Sequence, residues 1–469
     1  MIVMNNLKED GRGFLRGLES FFEVFVFTLM YYFFWRHGYD DGIFPAYHFN
    51  GKYVLMGVYA VILITLFRSL DCFKFGQSKG TDLAVGHTIG LFGTNFVTYF
   101  QLSLIANHMV SPVPLLILLV AQVAIAMVLI ILYKNLFYRL FRPRNMLLIY
   151  GREDSITLKL KMDTRTEKYN VSGLIPATED LKKILSEIKK YDAVVLSDVH
   201  AELRNDILKY CYQEGIVVYL APKLTDILIR GGKNMNLFDT PLLYIKQTGL
   251  TIGSRIVKRA MDLVLSFIAL GILSPVMLFV AIAIKCEDGG PILYKQKRLT
   301  IGEKEFEIYK FRSMRPDAEK FTGAVLASEN DPRITKVGKF IRATRLDEIP
   351  QIINIFKGDM SFVGPRPERR KFVDEFCKEM PEFAYRTKVK GGLTGYAQIY
   401  GKYNTSSYDK LRLDLMYIEN YSLLLDIKLL ILTVKIIFSK ESTEGIDVAE
   451  MNKERVEEII RNQKQTKAE

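Results

Sequence analysis

At 469 residues the chain is too long for a single hydrophobic core, so two or three folding units are expected. Lys plus Arg exceed Asp plus Glu by 64 to 52, and the net charge of +12 suits phosphorylated small molecules or an anionic bilayer; nucleic acid is disfavoured, since neither an aromatic-interleaved single-strand platform nor a DNA-reading module accompanies the charge. The four cysteines (Cys72, Cys211, Cys286 and Cys377) form no CxxC pair and the five histidines are scattered, which argues against a thiolate or imidazole metal centre and for a reducing compartment.

Four apolar runs lead the chain. Residues 21–35 are aromatic-rich but short and contain Glu23, and residues 52–67 form a second run. Residues 82–106 are diluted by His87, Asn95 and Gln101, while residues 111–133 carry no charge. About 20 residues cross the hydrocarbon layer, so the first two spans are expected to begin before their purest stretch. Arg12 and Arg16 precede the first span, Arg68, Lys74 and Lys79 follow the second, and Lys134, Arg139, Arg142 and Arg144 follow the fourth. The positive-inside rule then puts both ends of this unit (1–140) in the cytoplasm.

Residues 141–245 read as a Rossmann-like α/β domain. Short apolar strands at 146–150, 191–197 and 215–221 alternate with helical stretches near 178–190 and 201–213, the spacing of a parallel sheet. After the first strand the chain reads GREDS, with one glycine where a dinucleotide fingerprint needs three, so a regulatory or assembly role is expected.

Residues 263–284 are twenty-two residues without a charge, long enough to cross a bilayer. Ser274 and Pro275 interrupt them, and proline removes a backbone donor, so a bend is expected. Both flanks are basic: Lys258 and Arg259 before, Lys285, Lys295, Lys297 and Arg298 after. A crossing helix leaves one flank poor in Lys and Arg. The expectation is a re-entrant helix (256–284) that turns at Ser274-Pro275, with Lys258 and Arg259 at the lipid interface. Residues 421–438 are apolar but hold Asp426, Lys428 and Lys435, which suggests an interfacial helix rather than a span. Residues 441–469 form a charged tail, expected as a solvated helix.

The residues that carry chemistry lie between 285 and 400. Asp347 and Glu348 are adjacent carboxylates followed by Pro350, which suits a helix opening. One acid can hold a divalent cation while the other attacks phosphorus, and Arg342 and Arg345 supply counter-charge. Arg366 stands between two prolines in GPRPE, with guanidinium the natural bidentate partner of phosphate. Lys310 and Arg312 share a face if their segment is a strand, and GGLTG (391–395) is a loop able to approach a ligand closely. The residues alone thus reach a membrane-associated phosphoryl-transfer site that uses a cation.

Residues 251–440 resemble the bacterial sugar transferase family, the monotopic polyprenyl-phosphate phosphoglycosyl transferases. The pieces that match, in order, are KRAMD (258–262), the block centred on Ser274-Pro275, YKQKR (294–298), YKFRSM (309–314), residues 331–368, GGLTGYAQI (391–399) and DLMYIENYSLLLDIKLL (414–430). The four spans and the middle domain resemble the larger members by architecture. The resemblance implies a multi-domain membrane protein with a four-helix transmembrane bundle, a Rossmann-like middle domain and a mixed α/β catalytic domain (246–440). It implies that Asp347 attacks the sugar-proximal phosphate of a UDP-sugar, that undecaprenyl phosphate then takes the phosphosugar, and that UMP is released. Glu348 matches the acid that holds Mg²⁺ and Arg366 the arginine of the PRP motif; Arg342, Arg345, Lys310 and Arg312 are taken as further phosphate contacts. Glucose or galactose is the expected sugar, and capsule, exopolysaccharide or O-antigen synthesis the setting. Anionic phospholipid is an expected partner and a homodimer is compatible with the chain. The rival readings are a polytopic phosphotransferase working through a ternary complex, and a non-catalytic assembly protein. The chain departs from the family at Thr300, often glycine, at Gly392, often proline, and at Arg345, often serine.

Overall fold

The computed structural model describes residues 2–39, 51–245, 249–315, 331–401 and 405–437. The tail expected over 441–469 lies outside the described residues. The chain divides into two compact units, one running to Pro222 and the other from Lys223.

The first unit begins with four long helices, α1 (Ile2–Gly38), α2 (Gly51–Ser69), α3 (Gly80–Ala106) and α4 (Val113–Leu140). Each contains a stretch long and apolar enough to cross a membrane. Inward residues recur every four positions, as Phe27, Tyr31 and Trp35 on α1 and Leu55, Tyr59, Leu63 and Phe67 on α2. Tyr31 stacks on Tyr59 with ring centroids 4.2 Å apart. The outward residues are as apolar as the inward ones, with Phe21, Phe25, Phe92, Phe96, Leu116 and Val120 exposed. A bundle with phenylalanine outside and Glu23, His87, Asn95 and Gln122 inside suits lipid rather than water. Asn107 ends α3 in the left-handed conformation that asparagine tolerates, and Pro112 and Pro114 open α4.

The middle part holds four parallel strands, β1 (Arg144–Tyr150), β2 (Tyr169–Pro176), β3 (Ala193–Ser197) and β4 (Val217–Leu220), in the order β2-β1-β3-β4. Helices α5 (Thr157–Asp163), α6 (Leu181–Ile188) and α7 (Ala201–Glu214) fill the connections. The expected strands at 146–150, 191–197 and 215–221 are present, the first starting two residues earlier and the other two trimmed by one or two residues at an end. Strand β2 escapes a reading by apolar runs because Asn170, Ser172 and Gly173 interrupt it at a sheet edge. The strand order reverses between β1 and β3, where open α/β sheets receive ligands. Here a Cβ on Gly151 would stand 2.0 Å from the Asp198 carbonyl oxygen. The two backbones approach too closely at this turn for any side chain larger than glycine's.

The second unit opens with α8 (Leu224–Arg230) and an exposed hairpin of β5 (Lys233–Leu237) and β6 (Thr240–Tyr244). Then comes α9 (Ile252–Asp288), 37 residues long. Its buried side chains are Lys258, Asp262 and Ser266 near one end and Val280 and Ile284 near the other, with none between. Pro275 has no N–H to offer the Gly271 carbonyl, and the Ser274 hydroxyl donates to that oxygen instead at 2.9 Å. An antiparallel hairpin of β7 (Leu293–Leu299) and β8 (Glu305–Phe311) follows, then α10 (Lys336–Ala343) and α11 (Gln351–Lys357). Strand β9 (Ser361–Val363) pairs in parallel with β10 (Gly392–Thr394), and α12 (Arg370–Glu379) lies between them in sequence. The chain continues through α13 (Tyr396–Tyr400), α14 (Ser407–Glu419) and α15 (Leu423–Ile437). A core of Val363, Val373, Phe383, Leu411, Leu415, Tyr417 and Leu429 joins these helices to β9.

The charges of α15 point inward. Asp426 and Lys435 are buried, while Leu424, Ile427, Val434 and Ile437 face out. Packing against the catalytic unit thus accommodates two of the three charges that argued against a span, and leaves an apolar outer face suited to an interface.

Candidate active site

Both ends of α9 are fastened to the elements that carry the acid pair. Near its start, Asp262 accepts hydrogen bonds from Ser361 Oγ (3.0 Å) and the Phe362 amide (3.1 Å), and Arg259 donates to the Ile355 and Phe356 carbonyls at the end of α11, 2.7 Å each. Lys258 is buried against Asp426 of α15, whose other oxygen accepts from the Tyr417 hydroxyl at 2.8 Å. At the far end Val280 and Ile284 pack on Phe311, Ile341 and Leu346, and Glu287 accepts from the Lys336 and Val337 amides that open α10. Lys258 and Arg259, expected to meet lipid headgroups, thus find their partners within the protein.

Helix α10 ends at Thr344, and Arg345 takes a left-handed φ of 58°. Such a residue without glycine's freedom costs about 1 kcal/mol. The reversal it makes delivers Leu346–Glu348 as a single 3-10 turn, with Pro350 leading into α11. The two acids therefore occupy a turn of their own ahead of the helix, not its first turn.

Within that turn the acids differ. Glu348 Oε1 accepts from Lys310 Nζ (2.7 Å) and from Arg366 Nη2 (2.6 Å). Burial pushes its carboxyl up, but Arg366 and Lys310 overcome this and hold it far below the usual carboxylate range. Asp347 has no hydrogen-bond donor among the described residues. Burial first, and the Glu348 charge second, raise its carboxyl above the ordinary value, although Lys310, Arg342 and Arg345 pull the other way. One acid is fixed and ionised; its neighbour is unbonded and more basic than usual, which is the asymmetry a nucleophile with a charged companion needs.

Of the expected phosphate contacts, Lys310, Arg342, Arg345 and Arg366 surround the acid pair. Arg312 does not join them. Strand β8 ends at Phe311, so the alternation that would place residues 310 and 312 on one face stops there, and Arg312 turns to Asp288. The GGLTG glycines approach protein rather than ligand: a Cβ on Gly392 would meet the Gly364 amide nitrogen at 2.1 Å, and one on Gly395 the Gly364 carbonyl at 2.1 Å. These close approaches seat the Pro365-Arg366-Pro367 segment against β10. Arg386, absent from the reading of the sequence, completes the seat by donating to the Arg366 carbonyl (3.1 Å) while pairing with buried Asp414 (2.8 Å). The Thr300 hydroxyl donates to the Asp359 carbonyl (2.8 Å) and receives the Gly391 amide (3.3 Å), a tie that a glycine could not make.

Among the described residues no group of three or more His, Cys, Asp or Glu could hold a metal ion. A Mg²⁺ ion takes one or two carboxylates with substrate phosphates making up the rest. The second oxygen of Glu348, which meets no protein donor among the described residues, fits that modest donor set.

The profile of the family described as bacterial sugar transferase matches residues 253–440. An Aeromonas hydrophila UDP-N-acetylgalactosamine-undecaprenyl-phosphate N-acetylgalactosaminephosphotransferase is 39% identical over 264 residues, 53% of this chain and 60% of that protein. The UDP-glucose:undecaprenyl-phosphate glucose-1-phosphate transferase of Escherichia coli is 37% identical over 222 residues, 46% of this chain and 48% of the relative. A Bacillus subtilis protein, provisionally named an undecaprenyl-phosphate N-acetylgalactosaminyl 1-phosphate transferase, is 49% identical over 130 residues, 28% of this chain and 72% of the relative. The chain belongs to the bacterial sugar transferase family. This sugar transferase spans about half the length of several curated relatives that it matches. It is a multi-pass protein of the bacterial inner membrane, its catalytic part on the cytoplasmic side.

Titration of the acid turn checks these electrostatics. On the reading proposed below, in which an ionised Asp347 attacks the donor, covalent labelling should fail on the acid side at a pH above that of an ordinary aspartate. Lys310→Met removes one of the cations that lower it, so the acid limb of the rate profile should move to higher pH. A limb that moves to lower pH would refute the assignment.

Proposed function

We propose that this sugar transferase moves a sugar 1-phosphate from a UDP-sugar to undecaprenyl phosphate, releasing UMP, as a membrane step of capsule, exopolysaccharide or O-antigen synthesis. The observation that carries the reading is the unbonded, half-buried Asp347 beside a Glu348 pinned by Lys310 and Arg366. In the first half-reaction an Asp347 carboxylate oxygen bonds to the sugar-proximal phosphorus and the bond to UMP breaks, leaving a phosphosugar on the aspartate. In the second, an oxygen of undecaprenyl phosphate bonds to the same phosphorus and the aspartyl bond breaks. Arg366 and the cations around the turn neutralise the phosphoryl oxygens, and the prolines on either side of Arg366 limit its backbone freedom. Mg²⁺, held by Glu348 with substrate phosphate, would add Lewis-acid charge at the same oxygens.

The anchoring of α9 supports the re-entrant reading. Residues 258 and 284 would stand ~39 Å apart on a straight helix, and hydrocarbon is about 30 Å thick, yet both ends bind the same unit. With Ser274 replacing the missing amide at Pro275, the helix can turn inside the leaflet without leaving a bare carbonyl. Single cysteines placed on either flank of 263–284 should react only with reagent on the cytoplasmic side; opposite-side labelling refutes the turn.

The activity is tested by incubating membranes with undecaprenyl phosphate and UDP-glucose, UDP-galactose or UDP-N-acetylgalactosamine, and measuring UMP. Exchange of labelled UMP into the donor without lipid is expected, and a strict lipid requirement for it would favour a ternary complex. Glucose or galactose is the donor expected from the sequence, whereas the relatives' names also carry N-acetylgalactosamine.

A further inference from the structure

The four-helix bundle of the first unit encloses a group of ionisable side chains that phosphoryl transfer does not use. Glu23 of α1 and His87 of α3 are both 0% exposed, and Glu23 Oε1 lies 2.7 Å from His87 Nε2. The other ring nitrogen, Nδ1, lies 2.7 Å from the Leu83 carbonyl oxygen. A carbonyl only accepts, so Nδ1 carries a proton. The short contact between Nε2 and Glu23 then needs a proton of its own, since a bare ring nitrogen facing a carboxylate oxygen would repel it. That proton makes the pair neutral overall, whichever atom holds it.

One helical turn earlier, Glu19 is 3% exposed, and neither of its oxygens has a hydrogen-bond partner. Among the described residues, the other ionisable groups at the cluster are Arg16 on α1 and Tyr133 on α4, which face the carboxylates, and Cys72 after α2, which faces the His87 ring. Arg16 is drawn back, with Nε donating to the Arg12 carbonyl at 3.1 Å, and forms no ion pair with Glu19. The cluster thus has two acids but one imidazole to balance them. An ionised, unpaired carboxylate inside a lipid-embedded bundle costs several kcal/mol, far more than carrying a proton.

We propose that Glu19, Glu23 and His87 form a proton-binding site in the cytoplasmic half of the bundle. It holds one proton between Glu23 and His87 and a second, exchangeable one on Glu19. Arg12 and Arg16 mark the cytoplasmic end of α1, so Glu19, within two turns of Arg12, is the member nearest that face.

The test uses the full-length protein in lipid nanodiscs, with infrared spectra recorded near neutral pH in sodium chloride and in choline chloride. The wild type should show the carbonyl stretch of a protonated carboxylic acid at equal strength in both salts, and Glu19→Gln should lose one acid's share of it. Arg16→Gln should leave the band unchanged. Glu19→Gln is isosteric with the protonated acid and should fold. Its unfolding midpoint should fall with rising pH between about pH 6 and about pH 9 less steeply than the wild-type midpoint, because the folded variant keeps only the proton shared by Glu23 and His87 whereas the folded wild type binds one proton more. A band undiminished in Glu19→Gln, or one that grows in Arg16→Gln, would overturn the proposal by showing Glu19 ionised against Arg16. A band present only without sodium would also overturn it, by making sodium the ligand.

Discussion

Asp347→Asn should leave no phosphosugar on the protein and should lower turnover by ~10⁴-fold or more, the scale on which covalent catalysis fails without its nucleophile. The substitution keeps the side chain's size and breaks no hydrogen bond, because Asp347 has no donor among the described residues. The Lys310–Glu348–Arg366 ion triad should therefore stay assembled and the thermal midpoint stay close to wild type. This silence in stability separates loss of chemistry from loss of fold. Label from the sugar half of the donor, with lipid omitted, gives the direct readout. Acid-resistant label on the variant at the wild-type rate would defeat the covalent route.

The second large effect is expected away from the acids. Arg386 and Asp414 are 5% and 1% exposed at their side chains and 2.8 Å apart. Removing one partner of a buried pair typically costs 3–5 kcal/mol, because the other charge is left without a counter-ion. Arg386→Met should therefore lower the unfolding midpoint by about 10 °C. Burial already raises the Asp414 carboxyl against the pull of Arg386, and losing the arginine would drive it further toward the neutral form. The double variant Arg386→Met/Asp414→Leu should recover much of the stability, since no lone charge remains. It should not recover turnover, because the Arg366 carbonyl also loses its donor. Recovery of both would reduce Arg386 to a structural residue.

The parts legible in the sequence are those written in local order. The four spans, the alternating strands of the middle domain and the acid turn each occupy a single stretch whose periodicity or composition marks it. Arg345 shows the limit of such reading: its charge near Asp347 could be guessed, but its left-handed backbone and the turn it creates could not. Arg386 and Asp414 lie 28 positions apart, and Lys258 and Asp426 lie 168 apart. No nearby residue announces either pair, because the partner is chosen by tertiary packing. In hindsight the signal was charge within apolar surroundings: Asp414 opens DLMYI and Asp426 interrupts LLLDIKLL, positions where an unpaired carboxylate would be intolerable. Arg312 failed for the opposite reason, since its proposed place depended on a strand running one residue further than it does.

The middle of α9 has a practical consequence. Phe267, Ile272, Leu278 and Phe279 stand outward between the helix's two anchored ends. In plain buffer these side chains would drive clumping whatever the quality of the surrounding fold. Deleting the N-terminal helices should consequently yield a shorter enzyme that still demands detergent or phospholipid. Exhaustive delipidation would then strip away part of the scaffold along with the solvent.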